Sequence, residues 1–198
     1  NINIKTNQVK YFKRNERLLT DKFTEININD NYFIKSKNLI FDRNKGILSS
    51  DENTSVLDNF NNELLSNEFK FFTENQLIKA KKVLIKDNQG NNTFLENFIG
   101  NLNEDQFFGK DVKIIFNKNT FGNINNDPRL YGNTISSNIN DSKISKGVFT
   151  TCKKNDNCPP WEISADQIIH DKKKKIINYK NAWLQIYDKP VFYFPRFF

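Results

Sequence analysis

The residue types best suited to chemistry are two cysteines, Cys152 and Cys158, and one histidine, His170. Five residues separate the cysteines, which does not match the CxxC spacing of a redox pair. A structural zinc site needs more Cys or His ligands than the chain contains, so we predict no metal site. Two interpretations stay open for the cysteines: a disulfide that closes a small loop, as in exported proteins, or two buried free thiols.

A nucleophile activated by histidine would have to use His170. Similar segments of the chain carry Tyr11, Phe41 and Ile85 at the corresponding position, and this exchange favours packing over catalysis. The carboxylates are scattered, and no glycine-rich loop of the kind that cradles phosphates occurs. We therefore predict no catalytic residues, no cofactor and a protein that is not an enzyme.

The composition predicts a folded chain of one domain, residues 1–198. The 19 Phe and 6 Tyr are spread along the chain, as a packed core requires. A nucleic-acid face would cluster them among lysines, so we expect no nucleic-acid partner despite the net charge of +7. No apolar run is long enough for a transmembrane helix. The chain begins with Asn1 rather than Met, which we interpret as a mature or excised segment.

A repeated pattern positions these residues. It reads Ile, any, small, any, any, aliphatic, any, large, and it begins at Ile4, Ile34, Ile78 and Ile163. Its outer pairs are two residues apart and share a strand face, whereas the middle gap of three breaks that period. The pattern therefore predicts a β-bulge that bends the strand and keeps all four key side chains on one face. Residues 109–116 are a degenerate further copy.

Polar turns separate alternating segments throughout the chain, and no helical crossover is evident. Residues 161–170 and 176–186 flank a charged turn and predict the clearest hairpin. Residues 133–146 are thin in apolar side chains and predict an edge strand or a loop. The fold expected from these patterns is all-β and antiparallel, either a sandwich or a curled, open jelly-roll.

The segment 147–198 resembles the periplasmic part of the LPS-assembly outer-membrane protein family, LptD/OstA. The resemblance rests on motifs that occur in the family's order. These are Cys152 at a strand end, Trp161 and Ile163, the turn Ile169-His170-Asp171, the pair Asn181-Ala182, and the run 190–195. Upstream, the repeat is similar to the OstA-like repeat of the same family and of its soluble bridge proteins.

The resemblance implies a curled β-jelly-roll, a single periplasmic OstA-like domain over 1–198, with 190–198 leading into a β-barrel. It implies location at the periplasmic face of the outer membrane. Lipopolysaccharide would arrive from the bridge protein LptA, bound by edge-strand addition, and pass along a hydrophobic groove to the barrel. The lipoprotein LptE would associate through that barrel. The family's cysteine can also bridge to the barrel, so the partner of Cys152 is either Cys158 or a cysteine there.

Inward positions of the repeats are the expected lining of the groove. The expected lipid-binding residues are Ile34, Phe41, Ile78, Val83, Ile85, Ile163, Ile168, Trp183 and Ile186. The alternative is that these residues fill an ordinary dry core. Two other functions also stay open: a soluble bridge protein of the same fold, like LptA or LptC, and a secreted β-sandwich that binds glycans.

Overall fold

The computed structural model of the protein describes residues 2–153, 160–174 and 176–198. Antiparallel strands and one 3-10 helix, Lys118–Phe121, make up the regular structure of these residues. No helix in the described part of the chain has the length and apolar character of a membrane span. The strands are β1 Ile2–Thr6, β2 Val9–Phe12, β3 Arg17–Thr20, β4 Thr24–Ile28, β5 Tyr32–Ser36, β6 Ile40–Asp42, β7 Ile47–Ser50, β8 Thr54–Asp58, β9 Glu63–Ser66, β10 Glu68–Phe72, β11 Leu77–Lys86, β12 Asn92–Asn101, β13 Gln106–Ile115, β14 Arg129–Ser137, β15 Asp141–Thr150, β16 Trp161–Asp171, β17 Ile176–Ile186 and β18 Lys189–Phe197.

The predicted fold class, an all-β, antiparallel, curled β-jelly-roll, is confirmed. The chain forms two compact units, one of residues 1–88 with 97–104 and one of residues 89–96 with 105–198. Strand β12 contributes residues to both units. The interpretation of residues 1–198 as one domain stays a prediction.

In the first unit, short strands form two layers. One layer has the order β1-β4-β5-β8-β9, and the other has the order β2-β3-β6-β7-β10. Each hairpin lies within one layer, and the next connection crosses to the other layer. Strand β11 belongs to both, because residues 77–81 pair with β10 and residues 84–86 pair with β9.

In the second unit, the strands are long enough to bend in the middle. Strands β13 to β18 pair in sequence order, each with the next. The clearest predicted hairpin is confirmed as β16 and β17, in which Trp161 lies opposite Ile186 and Asp171 lies opposite Ile176. Residues in the left-handed conformation also close the tight turn between β17 and β18, where Tyr187 and Asp188 have φ values of 48° and 62°.

Left-handed residues mark the bends of both units. Asn38, Lys82, Asp111, Lys146 and Asn181 have φ values of 48–56°. A single residue in this conformation inside a strand pair is typical of a β-bulge, which bends the strand and resets its side-chain alternation. We call these positions the corners of the fold.

The bulge predicted from the repeats is confirmed in the copy that begins at Ile78. Ile78, Ala80 and Val83 are 2%, 5% and 2% exposed, although the gap of three would place Val83 on the opposite face of a regular strand. Lys82 lies in that gap with a φ of 50° and returns Val83 to the buried face. In the copies that begin at Ile4 and Ile34, the gap lies between two separate strands that belong to different layers, β1 and β2 or β5 and β6, so the prediction of one bulged strand was wrong there.

The prediction for residues 133–146 was wrong, because most of them form neither an edge strand nor a loop. Apart from the short turn 138–140, they belong to β14 and β15, and each of these strands pairs on both sides. Ile135 and Ile144 lie opposite each other and are each 4% exposed. Few apolar residues suffice here, because glycine occupies the inner side of the corner and leaves little space to fill.

A substitution at a corner tests this geometry. A side chain in the left-handed conformation costs roughly 1 kcal/mol or more, whereas glycine in a regular strand costs roughly 0.5–1 kcal/mol of stability. We expect Lys82→Gly to leave the free energy of unfolding unchanged or to raise it by about 0.5 kcal/mol. The extended Lys110 is the control, and Lys110→Gly should lower stability by about 0.5–1 kcal/mol. Urea unfolding measures both, and an equal loss in the two variants would contradict the left-handed corner.

Candidate functional site

Three rows of inward-facing side chains cross the strands of the second unit, and together we call them the inner face. The first row runs Ile135, Ile144, Ile168, Tyr179 and Phe197. The middle row runs Gly147, Ala165, Ala182 and Phe194. The third row runs Leu130, Phe149, Ile163, Leu184 and Phe192. Each row takes one residue per strand at directly opposed positions, so the register of the sheet builds an apolar surface from strands distant in sequence.

The middle row lies at the corner and consists of small residues up to β17. Ala165 is 6% exposed and Ala182 is fully buried. A Cβ atom added to Gly147 would lie 2.4 Å from Cδ1 of Ile168, so the large side chains of the first row fold over the small ones. The repeat predicts a small residue at this place because a larger one would keep the two arms of a bent strand apart.

Burial on the inner face decreases towards β18. In the first row, Ile168 is 1% exposed, Tyr179 is 7% exposed and Phe197 is 40% exposed. Burial also raises the pKa of Tyr179 to about 12, so its phenol stays neutral under ordinary conditions. At the end of the third row, Phe192 is 64% exposed. The apolar surface therefore continues to β18, the last strand along the chain that the structure describes.

The expected groove residues of the first unit are mainly core residues. Ile34, Ile78 and Val83 are 1–2% exposed, and Phe41 and Ile85 are half-buried. Cross-strand pairing brings all of them except Val83 into two rows, one per layer. The row with Ile34 and Ile85 is Ile4, Ile26, Ile34, Val56, Leu64 and Ile85. The row with Phe41 and Ile78 is Tyr11, Leu18, Phe41, Leu48, Phe71 and Ile78.

The expected groove residues of the second unit do not all meet. Ile163 and Ile168 belong to the inner face, and Ile186 lies opposite Trp161 at the end of β17. Trp183 lies opposite Ser164, between the inward-facing Ala182 and Leu184, and is 43% exposed. It therefore projects from the outward face. The sequence places Tyr179 and Trp183 on the same alternation of β17, but the bulge at Asn181 shifts that alternation, so Tyr179 faces inwards and Trp183 outwards.

The structure describes only one of the two cysteines. Cys152 carries a free thiol, whose Sγ lies 3.5 Å from the carbonyl oxygen of Trp161. Cys158 lies outside the described residues, so the described part of the chain contains no disulfide. The guanidinium of Arg129 donates to the carbonyl oxygens of Asp127 and Cys152, which ties this segment to β14 without a covalent link.

His170 lies at the end of β16, opposite Ser142 and Ile177. Partial burial is the main reason that its pKa is below the usual value, and the charge of Lys172 lowers the pKa further. Lys172 is itself tied down: its ammonium donates to Oγ of Ser137 at 2.9 Å. The sequence indicated a charged turn here, and the neighbouring Lys175 lies outside the described residues.

One polar group on the outward face was missed by sequence reasoning. Lys146, Asp166 and Asn181 come from three different strands and contact one another at the corner, beside the exposed ring of Trp183. Nothing in their local sequences links them, since only the register of β15, β16 and β17 brings them together. In the part of the chain that the structure describes, no group of His, Cys, Asp and Glu side chains could hold a metal ion.

The fold and the site together define the class of protein: an antiparallel β protein with an apolar inner face and a separate polar cluster on its outward face. Comparison of the chain with protein family models and with curated proteins finds no match.

The packing of the inner face predicts a compensating pair of substitutions. Gly147→Ala adds a methyl group where Ile168 lies, and such overpacking costs roughly 1–3 kcal/mol. Ile168→Ala leaves a cavity and costs roughly 2–5 kcal/mol. The double variant should lose at least about 1 kcal/mol less than the sum of the two, because the added methyl group fills part of the cavity. Urea unfolding gives the free energies. Ile135→Ala is the control partner for Gly147→Ala, and its effect should simply add.

Proposed function

We propose that this protein is a non-enzymatic module for lipopolysaccharide transport at the periplasmic face of the outer membrane. In this proposal, it receives lipopolysaccharide from a periplasmic bridge protein and passes it along its apolar interior to an outer-membrane β-barrel. The observation that carries the proposal is the inner face of the second unit, whose apolar rows reach β18 with Phe192 and Phe197 exposed. Such an exposed apolar surface favours contact with an apolar ligand or a continuing chain.

The energetics of lipid transfer support a continuous apolar path. Burial of one acyl chain of about a dozen carbons is worth ~10 kcal/mol, at about 0.8 kcal/mol per CH₂ group. A lipid with several chains would therefore exchange through water extremely slowly. A carrier has to offer apolar surface at the point where the lipid enters and again where it leaves.

The N-terminal strands support the proposed docking of LptA. Ile4 on β1 is 36% exposed, whereas Ile26, which lies opposite it on β4, is 1% exposed. The described residues pair β1 with β4 and β2 with β3. Exposed apolar side chains on these N-terminal strands suit docking of a partner by strand addition. Association with LptE stays a prediction that depends on the proposed barrel.

The burial of the interior restricts where lipid can lie. Ile34, Ile78 and Ile168 are at most 2% exposed, so an acyl chain reaches them only if the packing around them opens. In the second unit, lipid contact without such opening is confined to the partly exposed ends of the rows, around Ile163, Phe192 and Phe197.

Photo-crosslinking tests the proposal. The photoreactive residue p-benzoylphenylalanine has nearly the shape of Phe, so it can replace Phe192 or Phe197 with little disturbance. We expect both variants to capture lipopolysaccharide that is added to the purified protein or present in the periplasm. The control is the same residue at Arg196, which lies opposite Lys180 on β17 and does not belong to the rows. Equal capture at Arg196, or no capture at either phenylalanine position, would contradict the proposal.

A further inference from the structure

The outward face of the second unit carries a cleft at the corner of strands β15, β16 and β17. Its volume is about 220 Å³, and Lys146, Ser164, Asp166, Asn181 and Trp183 are among the residues that line it. The inner face lies on the other side of the same strands. An inference about this cleft therefore does not depend on the proposed lipid transport.

The corner geometry makes the side chains of this cleft converge. Lys146 and Asn181 have left-handed φ values of 48° and 51°. Neither residue has a backbone register partner, and the same is true of Asp166. Between β15 and β16, the register passes from Ser145–Gln167 to Gly147–Ala165 and leaves out Lys146 and Asp166. Between β16 and β17, it leaves out Asp166 and Asn181. Three unpaired residues therefore meet on the convex side of the bend, where their side chains are accessible.

Asp166 is at the centre of the polar group. Its Oδ1 accepts a hydrogen bond from the ammonium of Lys146 at 2.5 Å, and its Oδ2 accepts one from Nδ2 of Asn181 at 2.9 Å. These two hydrogen bonds hold the pKa of Asp166 below its usual value, and the hydrogen bond from Lys146 has the larger effect on that pKa. The carboxylate stays ionised, and each of its oxygens keeps a free lone pair for a further donor.

Two aromatic rings form the adjoining surface. Trp183 and Tyr193 lie on neighbouring strands with ring centroids 5.0 Å apart, and they are 43% and 45% exposed. The Tyr193 hydroxyl donates to Oδ1 of Asn181 at 3.2 Å, which joins the rings to the polar group. The side-chain amide of Gln185 donates to Oγ of Ser164, another residue that lines the cleft, at 2.8 Å. A rigid aromatic surface thus borders a fixed set of donors and acceptors.

This combination restricts the chemistry of a ligand. Asp166 would repel a phosphate or carboxylate, and Lys146 would compete with a bound cation for the same carboxylate oxygen. A purely apolar ligand would leave the carboxylate and the amide desolvated without partners, which is costly. A neutral ring with one apolar C–H face and several hydroxyl groups meets all these conditions. Its C–H face covers the aromatic rings, and its hydroxyls both donate to Asp166 and accept from Lys146 and Asn181.

We propose that this cleft binds a neutral pyranose sugar, with Trp183 as the stacking surface and Asp166 as the main hydrogen-bond acceptor. The sugar can belong to a free saccharide or to the headgroup of a glycolipid. The shared requirement is one exposed pyranose ring, and the two sources differ in whether an attached apolar chain adds affinity.

A fluorescence titration tests the proposal. The chain has two tryptophans, so a Trp161→Phe background leaves Trp183 as the only reporter. We expect a saturable change in its emission with at least one of three probes: the methyl glycosides of glucose, galactose and N-acetylglucosamine. In the same background, Asp166→Asn should weaken binding about tenfold or more, because a hydrogen bond to a charged group is lost. The matched control Asp111→Asn changes a corner carboxylate of β13 and should leave the affinity unchanged.

Octyl glucoside below its micelle concentration distinguishes the two sources. Equal affinity for methyl and octyl glucoside indicates a free saccharide, and tighter binding of the octyl form indicates a glycolipid headgroup; both results support a pyranose site. Saturation-transfer NMR with Trp183→Ala provides a second readout, in which the sugar signal should disappear while the protein stays folded. The proposal is overturned if no methyl glycoside gives a saturable response, if only octyl glucoside binds, or if Asp166→Asn and Asp111→Asn behave alike.

Discussion

The bend that each long strand makes at its corner is the constraint on which the rest of the structure depends. A bent strand has an inner side with little room and an outer side with excess room. On the inner side, the small Ala182 and Gly147 allow the two arms to approach, and the methyl end of Ile168 covers the glycine. On the outer side, a left-handed residue such as Asn181 takes up the extra length.

The two units satisfy the inner constraint with different chemistry. In the first unit, several small positions carry hydroxyls that bond to one another, as when Thr24 donates to Thr20 at 2.8 Å and Ser36 lies 2.8 Å from Thr54, although Ala80 carries none. In the second unit, the same place is filled by glycine and alanine. The corners of the first unit are therefore partly hydrogen-bonded across strands, whereas those of the second unit are apolar. This difference favours the second unit as the place where an apolar ligand could be accepted.

The same bend gives the second unit two chemically distinct surfaces. Because side chains alternate along β17, Ala182 faces inwards and Trp183 faces outwards. The position of the bulge determines which neighbouring residues each of them contacts. The inner rows combine aliphatic and aromatic residues, whereas the outer corner combines charged groups, an amide and aromatic rings. Two ligands of opposite character could thus be bound by one set of strands without competing for side chains.

Much of the architecture was predictable from local patterns. Alternation and turn residues predicted antiparallel hairpins, and the gap between Ala80 and Val83 predicted a bulge that the structure confirms at Lys82. These features depend on residues close together in the chain, so the sequence carries them directly. The segment 133–146 was misjudged because its strands need few apolar residues beside a glycine-lined corner, a condition set by neighbouring strands.

The sequence by itself determined the strands, their bends and the small residues at those bends, because each follows from steric rules within a few residues. Only the tertiary structure decided which side chains meet. The outward face of Trp183 and the contact of Asp166 with Lys146 and Asn181 depend on the register of three strands. Register is set by the sum of many cross-strand contacts, and a shift of one residue would exchange the two faces of a strand.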